Sequence, residues 1–256
     1  MNSNKIAYGV FHINGRSSVR DILNDKMCSQ LSKDFNPLVF RCLPSEQAHL
    51  LRPFIKSNLK SGEVGLIGST IIGWMEFLES NNDIAIFCED DIIISDDFNS
   101  QVLELIEYLP IDWEVLSLFT HPEQRGGGSS DHIVPRLQDS LAFCYIITRS
   151  ACRKGIQILS TGLDRPIDSF IFSDVFSGYA TVREIVAHSS MPWEGWKVPE
   201  NFHNNFLDII GGMRDNDIAE MKDLPSTIQE TPNIQIGINM DDAVDDYFEQ
   251  KFKDVK

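Results

Sequence analysis

The 256-residue sequence predicts an α/β protein with a mostly parallel central sheet flanked by helices. Three observations predict it. Short apolar runs alternate with amphipathic ones as far as His188, the rhythm of strands connected by helices. Asp83–Cys88 (DIAIFC) is a continuous apolar run, as in strands buried on both faces. The composition, 42% hydrophobic and 23% charged, is that of a globular chain with an ample core.

Each element follows from its residues. Lys5–Ile13 (KIAYGVFHI) reads as a buried strand, rich in β-branched and aromatic side chains and ended by Asn14-Gly15. Ser17–Leu31 places Val19, Ile22, Leu23 and Met27 at helical spacing. Pro37–Cys42 reads as a second strand. Ser45 is the N-cap expected for a helix through Lys56, with Glu46 favourable in its first turn. Glu63–Ser80 is the longest helical pattern, with Leu66, Ile67, Ile71, Trp74, Phe77 and Leu78 on one broad face. The DIAIFC strand follows. Phe98–Leu109 is an amphipathic helix, and Trp113–Phe119 and Ser140–Thr148 are strands. A helix starts near Ser150 and ends near Thr161-Gly162. Pro166 opens another through Phe176, since proline is tolerated in the first turn. Tyr179–His188 returns as a strand.

Two segments break the rhythm. His121–Pro135 (HPEQRGGGSSDHIVP) holds three consecutive glycines, so it reads either as a surface connection or as a mobile active-site lid. From Asp208 onward there are twelve acidic and five basic residues and no alternation. The expected organisation is therefore one domain over residues 1–207 and an acidic, partly helical extension over 208–256.

The formal net charge of −16 argues against nucleic acid and anionic lipid as partners of the whole surface. A metal or local arginines can still reverse the sign at a nucleotide site. The five cysteines are odd in number, lack CxxC spacing, and include three in apolar runs, which disfavours zinc or a disulfide framework. The opening residues lack a signal-peptide pattern and no run reaches the length of a membrane span. Cytoplasmic localisation is the expectation.

The segment that carries chemistry is DIAIFCEDDIIISDDF, where an apolar strand runs into Glu89, Asp90 and Asp91. Three adjacent carboxylates repel one another, and a buried strand end makes that costly unless a cation or donors compensate. In open α/β sheets ligands bind beyond the carboxyl ends of strands. Mn²⁺ or Mg²⁺ takes carboxylate oxygens and can bridge them to a diphosphate. The plain alternative is a solvated acidic turn. The acidic pair of a phosphoacceptor domain fits less well, because no matching set of residues follows.

Ser61–Phe98 resembles the central block of glycosyltransferase family 25, which includes lipopolysaccharide and collagen galactosyltransferases. Gly62, Glu63, Val64 and Gly65 stand for its GEIG, Ser69 for its serine, Trp74 for its tryptophan, and Glu89, Asp90 and Asp91 for its EDD. Thr70 departs from it, standing where the family has histidine. Ile13, Asn14, Arg16 and Arg20 resemble its opening INLDR and second arginine, with one residue deleted. Asp112–Phe119, Ala142–Gly155 and Pro166-Ile167-Asp168 follow in the family's order, so the resemblance spans about residues 5–190.

The resemblance implies a GT-A fold, a UDP-sugar donor such as UDP-galactose or UDP-glucose, and inverting transfer to a hydroxyl of a glycan or protein acceptor. It implies Asn14, Arg16, Arg20, Glu63, Ser69, Glu89 and Asp90 as donor-binding residues. Asp91, with Asp90 and His188, would hold Mn²⁺ or Mg²⁺. Asp168 is the candidate general base, against the plainer reading of a carboxylate favoured at a helix start; Asp164 is the competing base. His188 reads as a ligand or as a capping histidine, and Trp193 and Trp196 as sugar platforms or core residues. The alternative function is a non-catalytic GT-A-like protein that binds a sugar or nucleotide.

Overall fold

A computed structural model describes residues 5–15, 17–56, 58–119, 126–127, 130–137, 141–188, 200–202 and 204–205. Arg16, His121, Arg125, Gly128, Trp193, Trp196 and the whole 208–256 extension lie outside the described residues. The chain folds as β1 (Ile6–Phe11), α1 (Ser18–Leu31), β2 (Asn36–Pro37), a 3₁₀ segment (Ser45–Phe54), α2 (Ser61–Glu79), β3 (Ile84–Glu89) and β4 (Ile92–Ile94). It continues with α3 (Phe98–Tyr108), β5 (Val115–Ser117), β6 (Ile133–Pro135), β7 (Cys144–Thr148), α4 (Arg149–Leu159), α5 (Ile167–Ile171), β8 (Gly178–Thr181) and β9 (Val186–His188).

The α/β class expected from the sequence is what the chain adopts. Seven strands form one sheet in the order β2-β1-β3-β7-β5-β8-β6. β1, β2, β3, β5 and β8 run one way; β7 and β6 are reversed. Strand alternation divides the core into two layers. Ala7, Phe11, Ala85, Phe87, Tyr145 and Ile147 face α2, α4 and α5. Ile6, Tyr8, Ile84, Ile86, Cys144 and Ile146 face α1, α3 and β4.

That layering sets a switch point in the sheet. β1 sits between β2 and β3, and α1 covers one face of the sheet while α2 covers the other. The chain therefore reverses its course across the sheet between β1 and β3, and loops leaving their carboxyl ends diverge to opposite faces. A second, two-stranded sheet pairs β4 with β9, setting Ile92 opposite His188.

Several boundaries differ from the sequence expectation, each for a local reason. The second strand pairs only at Asn36–Pro37, on the sheet edge, where Pro37 has no N–H to give. Ser45–Phe54 is 3₁₀ rather than α, opening with an i→i−3 bond from the Gln47 N–H to the Pro44 carbonyl at 3.0 Å. The strand expected from Ser140 starts at Cys144, since Leu141 has φ +76°, a left-handed backbone no strand tolerates. α5 stops at Ile171, where the Ser173 hydroxyl donates to the Phe170 carbonyl at 2.7 Å. Tyr179–His188 splits in two: the Thr181 hydroxyl accepts the Arg183 N–H at 3.2 Å, turning the chain from β8 toward β9 in the other sheet. All five cysteines are free. Among the described residues no helix is long and apolar enough to cross a membrane.

Candidate active site

Parallel pairing of β1 and β3 sets Phe11 opposite Glu89, so the residues after each strand meet. His12 Nδ1 lies 2.9 Å from Asp90 Oδ2. Its Nε2 lies 3.1 Å from Asp21 Oδ1 and 3.3 Å from Asn14 Oδ1. Both ring nitrogens face acceptors, which only an imidazolium satisfies fully. In agreement, the hydrogen bond from His12 to Asp90 raises the His12 pKa above its ordinary value, against the opposing effect of burial.

Arg20 enters from the first turn of α1, where a cation opposes the helix dipole. Two carboxylates offset that cost. Nη1 donates to Asp90 Oδ1, and Nη2 donates to Asp91 Oδ2 at 2.8 Å. Both aspartates are buried. His188 arrives through the β4–β9 pairing, with Nε2 3.4 Å from Asp91 Oδ2. Burial pushes the Asp91 pKa up, but the His188 hydrogen bond and the charges of His188 and Arg20 more than offset it and hold it below the usual range.

Glu89 behaves differently. It is partly exposed, yet burial of its surroundings, followed by the charges of Asp91 and Asp90, raises its pKa well above the ordinary value. The charge of Asp168 adds to that repulsion. Its Oδ2 accepts the Leu141 N–H at 3.1 Å and its Oδ1 accepts the Ser169 N–H at 2.8 Å. The positive φ of Leu141 aims that N–H at Asp168.

The structure thus brings together Asn14, Arg20, Asp90, Asp91 and His188, with Glu89 next in the chain, while Asp168 reaches them only through its charge on Glu89. It leaves out three others. Glu63 caps α2, accepting the Lys60 N–H at 2.7 Å. The buried Ser69 hydroxyl accepts from Leu43 N at 2.8 Å and donates to Gly65 O at 2.9 Å, fixing α2 to the preceding loop. Asp164 is exposed and paired with Arg165 at 2.9 Å. His132 stands apart from the triplet, stacked on Tyr108 at 3.8 Å. His12 and Asp21 were not singled out from the sequence. The signal was there: His12 follows β1 directly, and parallel pairing with β3 fixes its neighbour.

The donor set can be tested against a divalent ion. Asp90 has both oxygens engaged, and Asp91 shares Oδ2 between Arg20 and His188. Of the four oxygens, only Asp91 Oδ1, which is buried, has no hydrogen-bond partner. Among the described residues no three His, Cys, Asp or Glu side chains are placed to hold an ion together. The residues as they stand do not fit a metal.

No known family profile and no curated protein matches the chain. Similar solved structures include A197 from STIV, at 15% identity and TM-score 0.38, covering 72% of this chain and 85% of the other. Mannose-1-phosphate geranyltransferase from Thermus thermophilus is similar at 10% identity and TM-score 0.40, covering 69% and 73%. A glycosyltransferase involved in the glycosylation of the major capsid of PBCV-1 is similar at 12% identity and TM-score 0.32, covering 57% and 61%. At these values the likenesses say nothing of donor or acceptor.

Proposed function

We propose that the chain is a GT-A-like glycosyltransferase that moves a hexose, galactose or glucose, from a UDP-sugar to a hydroxyl of a glycan or protein acceptor, with inversion. One observation carries this reading. Oppositely charged groups from both sides of the β1/β3 switch point converge at the carboxyl ends of the strands, where such sheets bind nucleotides. Asp168 is the proton acceptor in this reading.

In this reading the donor diphosphate approaches the carboxyl edge of β1 and β3, where Arg20 and His12 lie paired with Asp90 and Asp91. Asp168 takes the proton of the acceptor hydroxyl, whose oxygen bonds to the anomeric carbon as the bond to the diphosphate breaks. UDP leaves with the bonding electrons, its charge met by Arg20 and His12 as they exchange carboxylate partners for diphosphate oxygens. Two backbone N–H groups hold the Asp168 carboxylate in one orientation, which suits a base that must meet a hydroxyl at one angle. The resemblance to family 25 supports the donor class, and the sheet supports the placement. A non-catalytic sugar or nucleotide binder is the second reading, favoured by the closed pairing of Asp90 with Arg20 and His12.

The test is UDP release on incubation with UDP-hexoses and hydroxyl acceptors. Asp168→Asn is expected to keep donor affinity while lowering turnover on the order of 10²-fold or more. Donor binding without UDP release under any acceptor would favour the binder. Unchanged turnover in Asp168→Asn would remove it as the base.

A further inference from the structure

We propose that Arg20 is the resident cation of the acidic site: its guanidinium holds Asp90 and Asp91 together in place of a divalent ion, which can enter only by displacing it. The geometry carries this. One guanidinium reaches two different carboxylates, donating to Asp90 Oδ1 and, at 2.8 Å, to Asp91 Oδ2. Both carboxylates thereby share one cation, and those two oxygens are taken. All of the groups are largely buried; the Arg20 side chain is 15% exposed and those of Asp90 and Asp91 are 4% and 8%. Guanidinium does not deprotonate in proteins, so no change of pH vacates the position.

Like-charge repulsion points the same way. Arg20 spans both aspartates, and His12 bridges Asp90 to Asp21. An ion that took the two oxygens Arg20 holds would stand against the guanidinium, so Arg20 must swing out for it to bind. The unpartnered buried Oδ1 of Asp91 is the point of first contact for an incoming ion. Hard cations accept such an oxygen, but one oxygen does not make a site.

This concerns ion occupancy alone, so its failure leaves the UDP-release test untouched. Mn²⁺ is titrated into the full chain at neutral pH and followed by the spin-resonance signal of the free ion. The wild type is expected to take up Mn²⁺ only weakly, with Kd on the order of millimolar, and Arg20→Met at least about tenfold more tightly. Arg20→Lys keeps one charge but cannot span both carboxylates, and should fall between. Adding Asp91→Asn to Arg20→Met should abolish the gain. Micromolar binding to the wild type would overturn the proposal whether or not the variants fold. Equal affinity in wild type and Arg20→Met would also overturn it.

Discussion

His12 and Asp91 draw opposite pH dependence from one cluster. His12 has a raised pKa, so its stabilisation is complete below its ordinary value near 6.5 and is lost as pH rises through the folded value. Asp91 has a lowered pKa, so its contribution is present above about 3.8 and is lost as pH falls through the folded value. Replacing His12 by Asn removes a charge-assisted hydrogen bond to buried Asp90. We expect a loss of about 1.5–3 kcal/mol near pH 6, shrinking as the pH rises past the folded His12 pKa. Urea unfolding at three pH values checks this, and a deficit that stays constant or grows with pH would contradict it. At this scale the carboxylates were legible, because three adjacent acids at an apolar strand's end need compensation. Their compensators were less so: His12, Arg20 and His188 are separated from them by about seventy to a hundred residues, and only strand pairing shows that they meet.

Among the elements, α2 and α4 show what the glycines and the arginine after β7 are for. A Cβ on Gly155 would collide with the ring of Trp74, which is fully buried and donates from Nε1 to the Tyr145 hydroxyl at 3.1 Å. Glycine in a helix interior ordinarily costs about 1 kcal/mol relative to alanine. Here the sign should reverse, because overpacking against an immobile indole costs about 1–3 kcal/mol. Gly155→Ala is therefore expected to lower Tm, and a higher Tm in a thermal melt would show that the two helices have room to part. Gly65 has a similar use, since its Cβ would meet Leu43 O at 2.9 Å. The GEVG letters thus serve helix capping and close packing as well as any ligand. Arg149 donates to the carbonyls of Phe77, Leu78, Ser80 and Asn82, closing the carboxyl end of α2. Helix periodicity showed where α2 and α4 run; which carbonyls Arg149 would serve depended on β3 and β7 lying side by side.

Across the whole molecule, strand direction decides what borders the site. β5 runs the same way as β3 although reversed β7 lies between them, so its carboxyl end opens on the same edge as Glu89. Phe119, just beyond β5, packs on Phe143 at 5.0 Å, and Phe143 packs on His188 at 4.5 Å. The glycine-bearing connection therefore departs one ring away from the cluster. On its return, Gly126 N–H donates to Pro135 O at 2.7 Å, and the approach leaves no space for a Cβ. We expect a UDP-sugar, with or without Mn²⁺, to protect residues 121–134 from proteolysis. Replacing Gly126–Gly128 by alanines should slow turnover more than it weakens donor binding. Unchanged cleavage at saturating donor, together with full activity of the alanine variant, would make the segment a passive connection.

By itself the sequence determined the α/β class, the order of its longer strands and helices though not β4 or β6, and the carboxylates at the end of β3. These follow from local pattern: period and apolar run length act within a few residues of one another. The tertiary structure alone decided that β7 is reversed, that Tyr179–His188 divides between two sheets, and that Arg20 lies across Asp90 and Asp91. Those outcomes rest on hydrogen bonds and ion pairs between segments far apart in the chain, and no local propensity records which distant partner a strand edge or a buried charge will find.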